Sequence, residues 1–534
     1  MNEYIVTVHR KEDLEGFYHD METLGGPFHI PDRRVECCKK RPISRNTHYW
    51  LTDEEAQEIE KDPRVKTVSR TIKDMGLEVR PLFEQTSTQW TRNGVNNAGH
   101  RNWGLLRCFE GQQRSGWGVD GVAAASGTVN IPGEGRNVDV VIVDGHFFPD
   151  HPEFSGRFVP FNWFSLNPQV NPGDSRDEYS YAVNGPGAEG DDNHGCHVAG
   201  TAVGSLQGWA RSANIYCLNL YSTNVNGNID NEVLFDYIRE FHRTKPVNPQ
   251  TGRKNPTIVN NSWGLAGTLP VSAITSVEFR GQTFNGPFTE TQLIEDYGIM
   301  AGVQQSDTVV FQGRSPALDE DLLDARDEGI IMVGAAGNES YLVDQSGGPD
   351  YDNRLFVDSQ FAYYHRGSSP GASEGSICVG AIGPTVNEAK AEFSNCGPRV
   401  DIYAPGVWII SSLNTGGTTD SRDSQFRTGK LSGTSMASPQ VTGLLACALE
   451  TNPRWTPQQA LDYLIATAGV DQITDTEGSF DDFTSLQGSA NRYLRFRTER
   501  PSSGATFPRT TTFLRPVGAS PAPAFPRTRI RRSR

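Results

Sequence analysis

Residues 137–144 read NVDVVIVD. Past Asn137 the run is nearly all β-branched and apolar, and it ends on a carboxylate, Asp144. A strand of this kind has no polar face to offer water, so it belongs inside a sheet covered on both sides. The pattern recurs at Val138–Val143, Thr257–Asn260, Gly329–Val333 and Ile377–Ala381, with small-residue or amphipathic helical stretches between the runs. Apolar strands alternating with helices predict an α/β fold, a parallel β-sheet flanked by helices on both faces. In such a sheet ligands collect beyond the carboxyl ends of the strands, where Asp144 stands. Taken alone, Asp144 is more often a strand-end turn residue.

Working outward, the first 75 residues read as a small α+β unit. Tyr4–Val8 alternates as a strand, Glu12–Leu24 is helical, and His48–Leu51 is a second strand. Thr52-Asp53-Glu54-Glu55 is a capping box, and Val65–Val68 resumes strand character. Residues 76–101 are polar and irregular, a linker. The strand–helix pattern occupies 102–494, with a capped helix start at Thr456-Pro457-Gln458-Gln459. Beyond it, 495–534 form a basic tail rich in Pro, Ser and Thr. Pro501–Arg534 carries seven arginines and no acid, which predicts disorder.

At 534 residues the chain exceeds a usual single domain. Its net charge of −15 argues against a nucleic-acid binder, although the tail arginines could hold an acidic partner. No apolar run is long enough to span a membrane. The start, MNEYIVTVHRKEDLEGF, lacks the basic and apolar regions of a Sec signal. Eight cysteines without paired spacing suggest neither a disulfide framework nor a zinc site. An intracellular or non-classically exported setting is the expectation.

Four segments carry chemistry. Asp144 ends its strand. His194-Gly195-Cys196-His197 opens a small-residue helix whose dipole would keep a histidine neutral and able to accept a proton. Ala335-Ala336-Gly337-Asn338 follows a strand and offers a side-chain amide to an oxyanion. Gly433-Thr434-Ser435-Met436-Ala437-Ser438-Pro439 sets Ser435 at a helix start, hydroxyl and N–H together. Each alone has a plainer explanation: turn, packed histidine, turn, N-cap serine. Two other readings of the second segment stay open. One is a metal site of His194 and His197 with Asp191 or Asp192; the other is a thiol hydrolase using Cys196. Both leave GTSMASP and AAGN unexplained.

Together, VIVDG, HGCHVAGT, NNSWG, AAGNE and GTSMASPQVTG resemble the subtilisin-like serine proteases, or subtilases, motif by motif and in the family order, across Trp103 to Ala468. The resemblance implies that Ser435 is the nucleophile, His194 its base and Asp144 the orienting acid. It also implies an oxyanion hole of Asn338 and the Ser435 N–H. The backbone of Ser262-Trp263-Gly264, with Ala336 and Gly337, would hold an extended peptide or protein substrate. The N-terminal unit looks like the family's propeptide, an intramolecular inhibitor, which predicts self-processing between Arg70 and Asn102. No cofactor is required for such chemistry.

Three departures stand out. Cys196 replaces the family's usual threonine and reads as a small buried residue. Residues 266–323 form a long insertion, expected as a surface excursion beside the cleft. Glu153, in HPEF, stands where relatives often place a calcium-binding aspartate. One carboxylate falls short of the six or more oxygens calcium takes, so a solvated acid is the expectation and structural calcium the alternative.

Overall fold

The computed structural model describes residues 1–23, 36–81, 103–110, 133–179, 181, 193–220, 229–301, 307–357, 360–384, 388–475 and 484–496. Asp191, Asp192, the expected processing region from 82 to 102 and the tail from 497 lie outside the described residues. The described residues belong to one compact unit, Met1–Thr498. Among the described residues no helix is long and apolar enough to cross a membrane.

The N-terminal region holds β1 (Asn2–Val8), α1 (Leu14–Glu22), β2 (Glu36–Lys40), β3 (Asn46–Leu51), α2 (Asp53–Ile59) and β4 (Val65–Arg70). The strands make one antiparallel sheet, in the order β2-β3-β1-β4. Val6, Val8, Phe17, Met21, Tyr49, Leu51 and Ile59 bury against one another as its own small core. The capping box forms as expected. Glu55 N–H donates to Thr52 Oγ1 at 3.3 Å, and Thr52 N–H to Glu55 Oε2 at 2.8 Å. β2, ECCKK, had no readable pattern; it takes strand form from its pairing with β3.

Asp139–Asp144 is strand β6, next to one edge strand of an eight-stranded sheet. Its neighbours are β7 (Asn214–Asn219) and β8 (Thr257–Asn261), followed outward by β14 (Ile331–Ala335), β17 (Ser376–Ile382) and β18 (Ile402–Pro405). All these pairs are parallel; an antiparallel pair, Gly469–Val470 with Arg492–Tyr493, closes one edge. The apolar runs follow directly from two covered faces. Val140 and Ile142 enter one core while Val141 and Val143 enter the other. Ile258 and Val259 divide in the same way. The chain moves from β6 to β7 on one side and returns to β8 on the other, so the sheet's switch point lies between β6 and β8, with Asp144 at its mouth.

Helices α3 (His194–Val203), α4 (Leu234–Thr244), α5 (Pro316–Asp327) and α6 (Thr434–Thr451) cover the sheet. Two boundaries differ from expectation. The insertion ends before Pro316, not at 323, because α5 is the crossover helix leading into β14, capped by Ser315 with Pro316 in its first turn. The linker reading also fails at its start. Glu78–Pro81 is strand β5, paired antiparallel with β9 (Trp263–Pro270). The insertion proper supplies β10 (Ser276–Phe279), β11 (Gln282–Asn285), β12 (Met300–Ala301) and β13 (Thr308–Gln312). β13 lines the other side of β9, while β10 and β11 join β15 (Arg354–Val357) and β16 (Gln360–Tyr363) in a separate sheet.

Candidate active site

At the end of β6, Asp144 Oδ1 lies 2.7 Å from His194 Nδ1 and also accepts the Gly145 N–H at 2.8 Å. Both side chains are buried. Two features bring the histidine there. Asn193, just before α3, accepts the N–H groups of Asn414 and Thr415 at 2.6 and 2.9 Å, which pins the helix start. Gly195 then lets the helix pass tightly over β6: a Cβ on it would stand 2.7 Å from His146 O and 3.2 Å from Asp144 Oδ1.

Ser435 sits in the first turn of α6 and donates to Ser262 O at 2.8 Å. Ser262 Oγ returns a bond to Ser435 O at 3.0 Å and accepts from Asn260 Nδ2 at 2.8 Å. Thr442, two turns along α6, donates to Asn260 Oδ1 at 3.0 Å. The end of β8 and the start of α6 are thus laced together under the serine. Helices α3 and α6 meet closely, and a Cβ on Gly443 would stand 2.5 Å from Ala202 O.

Asn338 follows β14. Its Oδ1 accepts both the N–H and the hydroxyl of Thr434, each at 2.8 Å. A backbone N–H can only donate, so the atom facing it is the oxygen and the amide nitrogen points the other way. That nitrogen, Nδ2, is buried with no hydrogen-bond partner among the described residues. Thr434 Oγ1 also accepts the Gly337 N–H at 3.2 Å. The sequence reading missed Thr434, although its place beside Ser435 in the motif was a usable signal.

Gly337 has φ +111, and a Cβ there would fall 2.2 Å from both Asn395 Nδ2 and Gln312 Nε2. Beneath it Gln312 donates to Glu339 Oε2 at 2.6 Å, and Asn395 donates to the same oxygen at 3.1 Å and to Ala336 O at 2.8 Å. Burial raises the Glu339 carboxyl, the hydrogen bonds from Asn395 and Gln312 acting against it. Gln312 belongs to the insertion, so the insertion reaches the floor beside Ala336 and Gly337.

The edge at Trp263–Gly264 carries a strand of this same chain. Pro81 pairs with Trp263, Arg80 with Gly264, Val79 with Leu265 and Glu78 with Ala266. The rest of the N-terminal region docks on α4 and α5. Arg41, wholly buried, donates to Asp236 Oδ2 at 2.8 Å and Asp321 Oδ2 at 2.5 Å. Ser44 donates to Asp321 Oδ1 at 2.6 Å, and Arg45 reaches Asp324 and Glu320.

Cys196 and His197 face away from this chemistry. Burial pushes the Cys196 thiol up to about 12 and pulls His197 down to about 3. His197 Nε2 lies 2.8 Å from Ile409 O. Among the described residues no group of three or more His, Cys, Asp or Glu could hold a metal ion. The expectation of a solvated acid at Glu153 fails as well. Its side chain is fully buried, because the turn 151–154 folds back under the end of α3.

Against this geometry, the Peptidase_S8 family model (Subtilase family) matches residues 135–492. The chain belongs to the subtilase family. A subtilisin-like serine protease of Davidiella tassiana, Cla h 9.0101, is 26% identical to this subtilase over 382 residues, covering 70% of this chain and 56% of that protein. The extracellular serine proteinase of Thermus sp. (strain Rt41A) is 25% identical over 365 residues, covering 67% and 63%. The chain therefore spans under two thirds of the length of these curated relatives. A crystal structure of fervidolysin from Fervidobacterium pennivorans, a keratinolytic enzyme related to subtilisin, has TM-score 0.50 and 17% identity, covering 92% of this chain and 60% of that one. The likeness in structure is one of fold.

Proposed function

We propose that this subtilase is a serine endopeptidase that hydrolyses peptide bonds through an acyl-enzyme and is made as a self-processing zymogen. The observation that carries the reading is the Asp144–His194 contact at 2.7 Å; the buried Asn338 amide, which Thr434 next to Ser435 turns away from itself, supports it. Ser435 Oγ attacks the scissile carbonyl while His194 takes its proton through Nε2. The imidazolium later gives that proton to the leaving amine, and Asp144 holds Nδ1–H and stabilises the cation. Asn338 Nδ2 and the Ser435 N–H receive the negative charge that develops on the carbonyl oxygen. A water repeats the sequence on the ester.

The zymogen reading rests on β5. A strand added to an edge is how a protease holds an extended peptide, and here the chain holds itself. The register runs toward Ser262, whose carbonyl Ser435 already touches. Cleavage is therefore expected within the first few residues after Pro81, leaving the N-terminal unit docked as an inhibitor. Intact mass of the wild type beside Ser435→Ala tests this. The wild type should lose a fragment of just over eighty residues and the variant should retain Met1. Identical clipping, or none in either, would reject self-processing, and a mature form inert on denatured casein would reject the peptidase.

A further inference from the structure

Glu153 stands where relatives often place a calcium ligand, and its surroundings do not fit that ion. Calcium takes six to eight oxygens. Around this carboxylate the nearest groups are hydrogen-bond donors. Oε2 accepts the N–H groups of Leu206 and Gln207 at 2.8 and 3.2 Å. Oε1 accepts Arg422 Nη2 at 2.6 Å. A Cβ on Gly204 would stand 2.4 Å from Oε2, so the turn after α3 closes directly over the group. The nearby acid, Asp420, is turned to the same guanidinium, at 2.9 Å from Nε and 2.7 Å from Nη2. Arg422 Nη1 completes the cluster by donating to Ser205 Oγ at 3.0 Å.

We infer that the Arg422 guanidinium is the built-in cation of this corner, doing for Glu153 and Asp420 what a bound calcium would do. One planar fork joins three pieces of chain: the turn after β6, the turn that ends α3, and the loop at 420–427. That loop leads through Arg427–Leu431 into Gly433 and Ser435. The far end of the histidine's helix and the approach to the serine's helix are therefore tied by a covalently held charge. It is present at every calcium concentration. An ammonium could supply the charge, but a planar fork satisfies two carboxylates and a hydroxyl at once. This reading is independent of the peptidase assignment.

The test uses the full chain in a Ser435→Ala background, so that proteolysis cannot confuse the readout. Thermal midpoints are measured in chelator and in millimolar calcium for this parent, for Glu153→Gln, for Arg422→Met and for Arg422→Lys. Any calcium response of the parent should survive Glu153→Gln unchanged, because Glu153 is not one of the ligands. Arg422→Met should lower the midpoint in chelator by on the order of 5 °C, since it leaves two buried carboxylates without their cation. Arg422→Lys should lose less. A calcium-dependent rise in the parent that Glu153→Gln removes would overturn the inference. So would an Arg422→Met chain as stable as the parent. Should Arg422→Met fail to fold, the Glu153→Gln comparison and Arg422→Lys still decide.

Discussion

Thr434 controls which way the Asn338 amide faces, and through it the donor that the proposed mechanism offers to a developing oxyanion. Asn338→Ala should lower kcat about 10²–10³-fold with little change in KM, because the bond it removes exists only in the transition state. Thr434→Ala keeps the backbone donor and loses one hydroxyl bond, so about a fivefold loss is expected from the same steady-state kinetics. At this scale the four residues proposed to carry the chemistry were legible in the sequence because such chemistry admits few residue types, and five motifs fell in order. Thr434 and Gln312 were not, since each acts through a partner about a hundred or about thirty positions away that no local pattern names. Cys196, expected as a small buried residue in threonine's place, is buried in the core. Its thiol is buried and pushed up to about 12, so a thiol reagent at neutral pH should label exposed Cys38 and leave activity intact. Peptide mapping after labelling checks this, and activity lost in step with Cys196 modification would restore a role for the sulfur.

Among the elements, the central strands could be read because two covered faces demand continuous apolar sequence, as the division of Val140 to Val143 between two cores shows. β5 could not. Glu-Val-Arg-Pro has no period, and its strand form comes wholly from the partner edge at Trp263–Ala266. The expected insertion, 266–323, took in the first part of α5, whose sequence ALDEDLLDARD is rich in acids. Its acids in fact meet Arg41, Ser44 and Arg45, so they are an interface and not a solvent face. Helix α3 was read correctly as a tight small-residue helix, and its start is the sensitive point. Gly195→Ala would drive a methyl group against His146 O and Asp144 Oδ1. Moving the imidazole by about 1 Å from its acid is enough to cost about 10²-fold in kcat. The variant should keep its thermal midpoint within a few degrees, so kinetics beside a melting curve separate a misplaced base from a misfolded chain.

Across the whole molecule, the docked N-terminal region is held by charges that had to leave water. Arg41 sits between Asp236 and Asp321; Arg41→Ala would leave Asp236 to Arg239 and Asp321 with only the Ser44 and Asn46 hydrogen bonds, weakening docking by about 3 kcal/mol. Such a chain should become active with almost no lag after processing. Acidity should act on the same interface through Glu232. Its Oε1 accepts the Ile72 N–H at 3.0 Å, and its other oxygen lies 3.9 Å from His48 Nδ1, which also contacts Glu3 at 2.8 Å. Burial, reinforced by Asp230, raises Glu232 to about 7, with Glu3 adding to the shift and Arg41 opposing it. Docked, it holds a proton that it would release once exposed, so its contribution is complete below the ordinary carboxylate range and is lost as pH rises to about 7. Asp321, also raised by burial against the pull of Arg41, has the same sign. His48 has the opposite sign: burial lowers it from 6.5, so its contribution is present above that value and is lost as pH falls. Glu3, lowered by its bond to His48, likewise matters only in acid. Above pH 6.5 the balance is left to Glu232, and docking must weaken as the pH climbs through about 7. The lag before full activity, followed with a fluorogenic peptide, should therefore shorten between about pH 6.5 and 7.5. Glu232→Gln cannot ionise and should show a nearly flat lag over that interval; a slope equal to the parent's would place the pH response elsewhere.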